Sequence, residues 1–175
     1  MTTVYSGKRI GKTIWIAGAV AGTMDIIAAL VSGYVQRVNK DLGFLDVAER
    51  ILKYIAGGVF TLKTSSTGGG EMVVAGLLFH YIIAFALAAF FVFLYVNWKA
   101  LSNLVVLIPF GIFYGIFAWI ITTRVIIPYI SALPGKPFEW GNWDHWWQAR
   151  VAILILIFCI GLPIALITHA RLKRR

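Results

Sequence analysis

Apolar residues in this chain are gathered into four long runs separated by polar connectors. Ile14 to Val35 carries one charge, Asp25, and Met72 to Val96 carries none, only His80. Leu104 to Ile127 carries Arg124 near its end, and Val151 to Thr168 carries no charge. A hydrocarbon core about 30 Å thick is crossed by about 20 helical residues, which these runs match. Membrane strands would instead be runs of about ten residues with alternating polarity. The pattern predicts an all-α polytopic membrane protein, four transmembrane helices in a single domain over residues 1–175. Lys8, Arg9 and Lys12 precede the first run as they would a cleavable signal, but the run exceeds the about 7–15 apolar residues of a signal and contains an aspartate. It is expected to be a retained first helix.

The connectors have patterns of their own. Phe44, Val47, Ala48, Ile51, Leu52 and Ile55 recur at helical spacing, with Asp46, Glu49, Arg50 and Lys53 on the opposite face. This predicts an amphipathic outer helix over 44–56, either lying on the membrane interface or packed over the bundle mouth. After Gly57 and Gly58, the stretch Thr64 to Gly70 (TSSTGGG) has nothing to bury and reads as a linker. The second outer connector holds Pro128, Pro134 and Pro137, then Trp140, Trp143, Trp146 and Trp147. Tryptophan favours the headgroup level, so these four predict an outer aromatic interface with lipid or a partner protein.

Composition agrees with the pattern: 60% of the 175 residues are hydrophobic and 13% charged, against about 45–50% and about 25% in soluble domains. A soluble enzyme, a secreted disulfide scaffold and a disordered tail are excluded. The single cysteine, Cys159, excludes an internal disulfide, a CxxC redox centre and a cysteine-based zinc site. The net charge of +9 lies in clusters flanking the runs, where it fixes topology and meets anionic headgroups, so no nucleic-acid partner is expected. The termini and the short link Asn97 to Asn103 hold Lys8, Arg9, Lys12, Lys99, Arg171, Lys173, Arg174 and Arg175 without an acid. The two longer connectors hold Asp41, Asp46, Glu49, Glu71, Glu139 and Asp144, which puts both termini in the cytoplasm.

In lipid, helices meet through small residues that permit close approach. Three runs carry such stripes: Gly18, Ala21, Asp25, Ala28 and Ser32; Gly76, His80, Ala84 and Ala88; Gly111, Gly115, Ala118 and Thr122. Asp25 and His80 therefore face the bundle interior. At 1.5 Å per residue they lie about 17 and about 18 Å from the cytoplasmic edge, so they can meet. Tyr114 and Cys159 fall near the same level, giving a candidate polar centre of Asp25, His80, Tyr114 and Cys159. It serves either as a hydrogen bond that fixes helix register or as a proton- or ion-binding centre. One histidine and one carboxylate fall short of a metal's usual three or four ligands. His169 reads as a solvated residue of the cytoplasmic rim.

The strings AGTMD (Ala21 to Asp25), GLLFHYIIAF (Gly76 to Phe85), YGIFAW (Tyr114 to Trp119) and FCIGLPIAL (Phe158 to Leu166) resemble those of small four-helix inner-membrane proteins of bacteria, the YagU-like membrane proteins. The resemblance implies a four-helix bundle in the bacterial cytoplasmic membrane and supplies no catalytic residue. With no GxSxG, HExxH or glycine-rich fingerprint, an enzyme is not expected, and no cofactor can be named. The expected role is a non-catalytic accessory subunit of a larger membrane assembly or a homo-oligomer, its partners the lipid bilayer and other membrane subunits or itself. The alternative is a small transporter or proton/ion conductor using Asp25 and His80. For the topology, a membrane-impermeant thiol probe applied from outside should label a cysteine placed at Ser66 and spare one at Lys173. Labelling at Lys173 alone would reverse the orientation.

Overall fold

The computed structural model describes residues 6–37, 40–60, 62–126 and 146–173. Helix α1 (Gly7–Val35) is the first span. It is followed by α2 (Phe44–Phe60), the short α3 (Leu62–Thr67) and the second span, α4 (Gly70–Asn97). A 3₁₀ turn (Lys99–Ser102) leads to α5 (Leu104–Ile120), which continues as a π turn (Ile121–Ile126). The fourth span is α6 (Trp146–Leu156), a second π turn (Ile157–Gly161) and α7 (Leu162–Leu172). No strand occurs among the described residues, and four helices are long and apolar enough to cross a membrane. Ile127 and the connector to residue 145 lie outside the described residues.

Only about a third of each spanning window is buried inside the chain (28–33%), as expected of helices whose other faces meet lipid. The buried third is concentrated at the end holding the termini. Ala17, Ala21, Ala88, Phe91, Leu107 and Tyr114 are at most 2% exposed there, with Ile160 and Ile164 from the fourth span. The Phe91 and Tyr114 rings meet edge to face at 5.0 Å, a favourable aromatic geometry. Arg9 Nε donates to the Arg171 carbonyl at 2.8 Å, and the Tyr95 hydroxyl meets His169 Nδ1 at 3.1 Å. The ends of α1, α4 and α7 are thereby gathered into one basic face. His169 is 7% exposed, so the expectation of a solvated rim residue is corrected: its ring shares a hydrogen bond with the Tyr95 hydroxyl within the packed interior.

The helices approach through glycine. A Cβ on Gly161 would collide with the Gly111 carbonyl and stand 2.8 Å from the Gly115 nitrogen, while a Cβ on Gly115 would stand 2.5 Å from Ile157 Cα. The third and fourth spans are thus in backbone contact. Gly18 packs under the Phe85 ring, and Ala21 is fully buried. Gly76, expected to serve a span-to-span contact, instead receives the Leu52 carbonyl of α2. Of the two placements open to the amphipathic helix, the structure has it packed against α4 and α1, with Gly33 seating Ile51 and Gly58 seating Phe79. This packing carries the helix through Gly57 and Gly58, past the expected end at 56, against glycine's low helix propensity.

The stretch read as a linker from Thr64 is helical to Thr67. The Ser66 and Thr67 hydroxyls donate back to the Lys63 carbonyl at 3.1 and 3.0 Å, closing a short helix that ends at Gly68. Both π turns have local causes. Pro163 has no N–H to offer the Cys159 carbonyl four residues back, and the ladder widens just before it. In the third span, Thr122 Oγ1 donates to the Ala118 carbonyl at 2.8 Å and Thr123 Oγ1 to the Trp119 carbonyl at 2.6 Å, serving acceptors beside the widened turn.

The glycine contacts carry a stability prediction. Gly161→Ala should lower the thermal midpoint of the purified protein in detergent, at a cost of about 1–3 kcal/mol from overpacking against backbone. Gly11→Ala, where an added Cβ meets nothing within 4 Å, should be neutral or stabilising by up to about 1 kcal/mol. Equal midpoints for the two variants would rule out the close approach.

Candidate functional site: a buried Asp–His pair

Gly22 and Asp25 are three residues apart on α1 and so share one face. His80 of α4 reaches both. Its Nε2 lies 2.9 Å from the Gly22 carbonyl oxygen and its Nδ1 lies 4.0 Å from Asp25 Oδ2. A carbonyl only accepts, so Nε2 carries a hydrogen and donates, and the nitrogen facing the carboxylate is the one whose protonation varies. The 4.0 Å separation is within ion-pair range and longer than a direct hydrogen bond. The side chains are 16% and 11% exposed, so the pair is largely withdrawn from solvent without being sealed. Backbone makes this possible: a Cβ on Gly22 would stand 3.0 Å from Ala84 Cβ and 3.1 Å from the Tyr81 ring.

Three neighbouring spaces lie at and outward of the pair, each sharing a lining residue with the next. A cavity of about 140 Å³ is lined by Asp25, His80, Ile55, Thr122, Leu156 and Ile160, so all four spans and α2 contribute a wall. Asp25 is shared with a groove of about 560 Å³ between α1, α2 and α6, which passes Ser32, Gln36 and Tyr54 on one side and Ala152 and Ile155 on the other. Tyr54 is in turn shared with an outer recess of about 530 Å³ between α2 and the Ser65–Ser66 segment, whose charged rim includes the Glu49–Lys53 pair at 2.6 Å. From Asp25 toward the basic face the interior is close-packed: Ala17, Ala21, Ala88 and Phe91 are fully buried. Among the described residues, the groove opens toward the α2 end. Both π turns adjoin the cavity, through Thr122 and through Ile160.

Of the four residues expected to form a central layer, the structure brings Asp25 and His80 together and leaves Cys159 half-buried at the edge, close enough to Asp25 to feel its charge. Tyr114 is a correction. Its hydroxyl donates to the Leu87 carbonyl at 2.7 Å in the packed core and does not line the cavity, because a buried phenol takes the nearest acceptor. Trp140 and Trp143 lie outside the described residues, and of Trp146 and Trp147 the backbone alone is described, as the start of α6. The Gly22 carbonyl and Tyr54 were missed as site groups. The only sequence signal for the first was a glycine one turn before the aspartate.

Fold and site together define a multi-pass, four-span α-helical membrane protein with an ionisable pair inside the bundle. No family model, curated protein or solved structure matches the chain. The position of Tyr114 outside the site carries a prediction. Tyr114→Phe should cost about 1 kcal/mol of stability through the lost hydrogen bond and leave the pH response of the Asp25–His80 pair unchanged. A shift in that response would return Tyr114 to the site.

Proposed function

We propose that this chain is a small proton-binding transporter of the bacterial cytoplasmic membrane, related to the YagU-like proteins that its four span motifs resemble. The observation that carries the reading is the meeting of Asp25 and His80, from different spans, with Asp25 at the inner end of a groove that opens toward the α2 end. An aspartate at mid-membrane costs about 2.5–3.5 kcal/mol on insertion, so its retention calls for a use. Close packing of the described residues on the basic side favours a binding site of a carrier over part of an open pore. With cytoplasmic termini, the groove faces outward. A bundle of four helices leaves little room for a pathway within one copy, so a homo-oligomer is the expected working unit.

The reading as a non-catalytic subunit of a larger assembly is favoured by one feature outside the spans. Phe44 and Leu45 at the start of α2 are 43% and 80% exposed, an apolar edge suited to a partner or to the membrane interface.

Reconstitution into proteoliposomes with an internal pH-sensitive dye separates the two. Under an imposed gradient the wild type should carry protein-dependent proton flux, and Asp25→Asn should reduce it at least tenfold while its helical circular dichroism is retained. A wild type without flux that leaves native membranes in fixed stoichiometry with other subunits would establish the subunit reading instead.

A further inference from the structure

The walls of the groove identify what else it can hold. On one side stand Ala152, Ile155 and Leu156; on the other, Ser32, Gln36 and Tyr54 form a thin polar strip ending at Asp25. Its volume of about 560 Å³ falls within the range of small-molecule sites, about 300–1,000 Å³. Among the described residues, no lysine or arginine lines the groove or the cavity beneath it. The titratable groups facing the pair are Tyr54 from α2, Cys159 from the fourth span and Tyr81 beside His80, whose hydroxyl is within 2.9 Å of Thr23 Oγ1. From the third span, among the described side chains, the cavity receives Thr122, in the π turn that follows α5. Among the described side chains, an ionised Asp25 therefore has one partner able to carry a positive charge, His80, and that ring does so only when Nδ1 takes a proton.

An uncompensated carboxylate in a low-dielectric interior is costly, so the resting site holds one proton, either on Asp25 or on His80 Nδ1. Any other monovalent cation placed beside Asp25 would satisfy the same charge requirement. The apolar wall selects its form: a hydrated inorganic ion gains nothing from Ala152, Ile155 and Leu156, whereas a cation with an apolar body buries it there. Tyr54 adds an aromatic ring to the lining, a group that attracts cations.

We infer that the groove binds a hydrophobic organic monocation, an alkyl or aryl ammonium or phosphonium, whose charge takes the place of the proton held by Asp25 and His80. This deepens the reading of the chain as a proton-binding transporter and rests on it. The exchange balances: one cation enters, one proton leaves through the groove to the α2 end, and the charge of the site is unchanged. Proton and cation exclude one another, the thermodynamic basis of an antiporter.

The test uses the full-length purified protein in mild detergent with tetraphenylphosphonium as the probe. Calorimetry in buffers of different ionisation heat counts protons. One proton should be released per probe bound, and affinity should rise by up to about tenfold per pH unit while the site is protonated. Asp25→Asn should lose at least tenfold in affinity together with the pH dependence, and Asp25→Glu should retain both. Probe binding without proton release, equal binding to Asp25→Asn, or release of the same proton by sodium would overturn the inference. Infrared pH-difference spectra of the same samples keep the two readings apart. An Asp25-dependent carboxyl or imidazole signal with no probe binding would defeat the cation site alone, whereas absence of any such signal would remove the proton site beneath it.

Discussion

The centre of this bundle depends on the hydrogen bond from His80 to the Gly22 carbonyl. It fixes the hydrogen on Nε2 and leaves Nδ1 as the nitrogen that can gain or lose a proton. Because Gly22 and Asp25 share a face of α1, a ring anchored on the first must present its other nitrogen to the second. The bond also needs α1 and α4 to be close, and glycine at 22 allows this, with Ala84 and Tyr81 already within contact of where a Cβ would be. Helix packing, tautomer and ion-pair geometry are therefore one arrangement. A larger residue at position 22 would separate the spans and take His80 away from Asp25.

Register alone does not account for the aspartate. An interhelical hydrogen bond in lipid contributes about 0.6–2 kcal/mol, less than the about 2.5–3.5 kcal/mol that a central aspartate costs on insertion. The same bundle sets the register of its third and fourth spans with no ionisable group, by seating Gly161 against Gly111 and Gly115. Where only packing is required, this chain uses glycine. The pair stands instead where the packing opens into a cavity.

The four spans and the meeting of Asp25 with His80 were legible in the sequence because both follow from one-dimensional quantities, run length and depth along the membrane normal. Depth orders residues along an axis and says nothing of rotation about it. Tyr114 shares the level of the pair, yet it points to the Leu87 carbonyl. Stripes of small residues have a related limit: Gly76 marked a close approach, but its partner is α2 and not another span. His169 looked like a terminal residue because its partner, Tyr95, is 74 positions away. The π turns had only the threonine pair and Pro163 as signals, and the helix at 62–67 is closed by hydroxyl-to-carbonyl bonds that a polar composition conceals.

The distribution of space gives the site a direction. Toward the α2 end lie a cavity, a groove and a recess that share Asp25 and Tyr54 as lining residues; toward the basic face lie fully buried alanines and Phe91, with a smaller space of about 180 Å³ between α1 and α4 beyond them. On the proposed carrier reading the closed side must also open, and helices alter pitch at least cost where their ladder is already irregular. The π turns of the third and fourth spans are such places, since each already departs from the regular ladder. Thr122 and Thr123 offer hydroxyls to carbonyls at the first, and Pro163 leaves a carbonyl without its usual donor at the second. Both turns border the cavity that holds the pair. Any change in the charge of Asp25 and His80 thus arises beside two described segments whose backbone already departs from a regular helix.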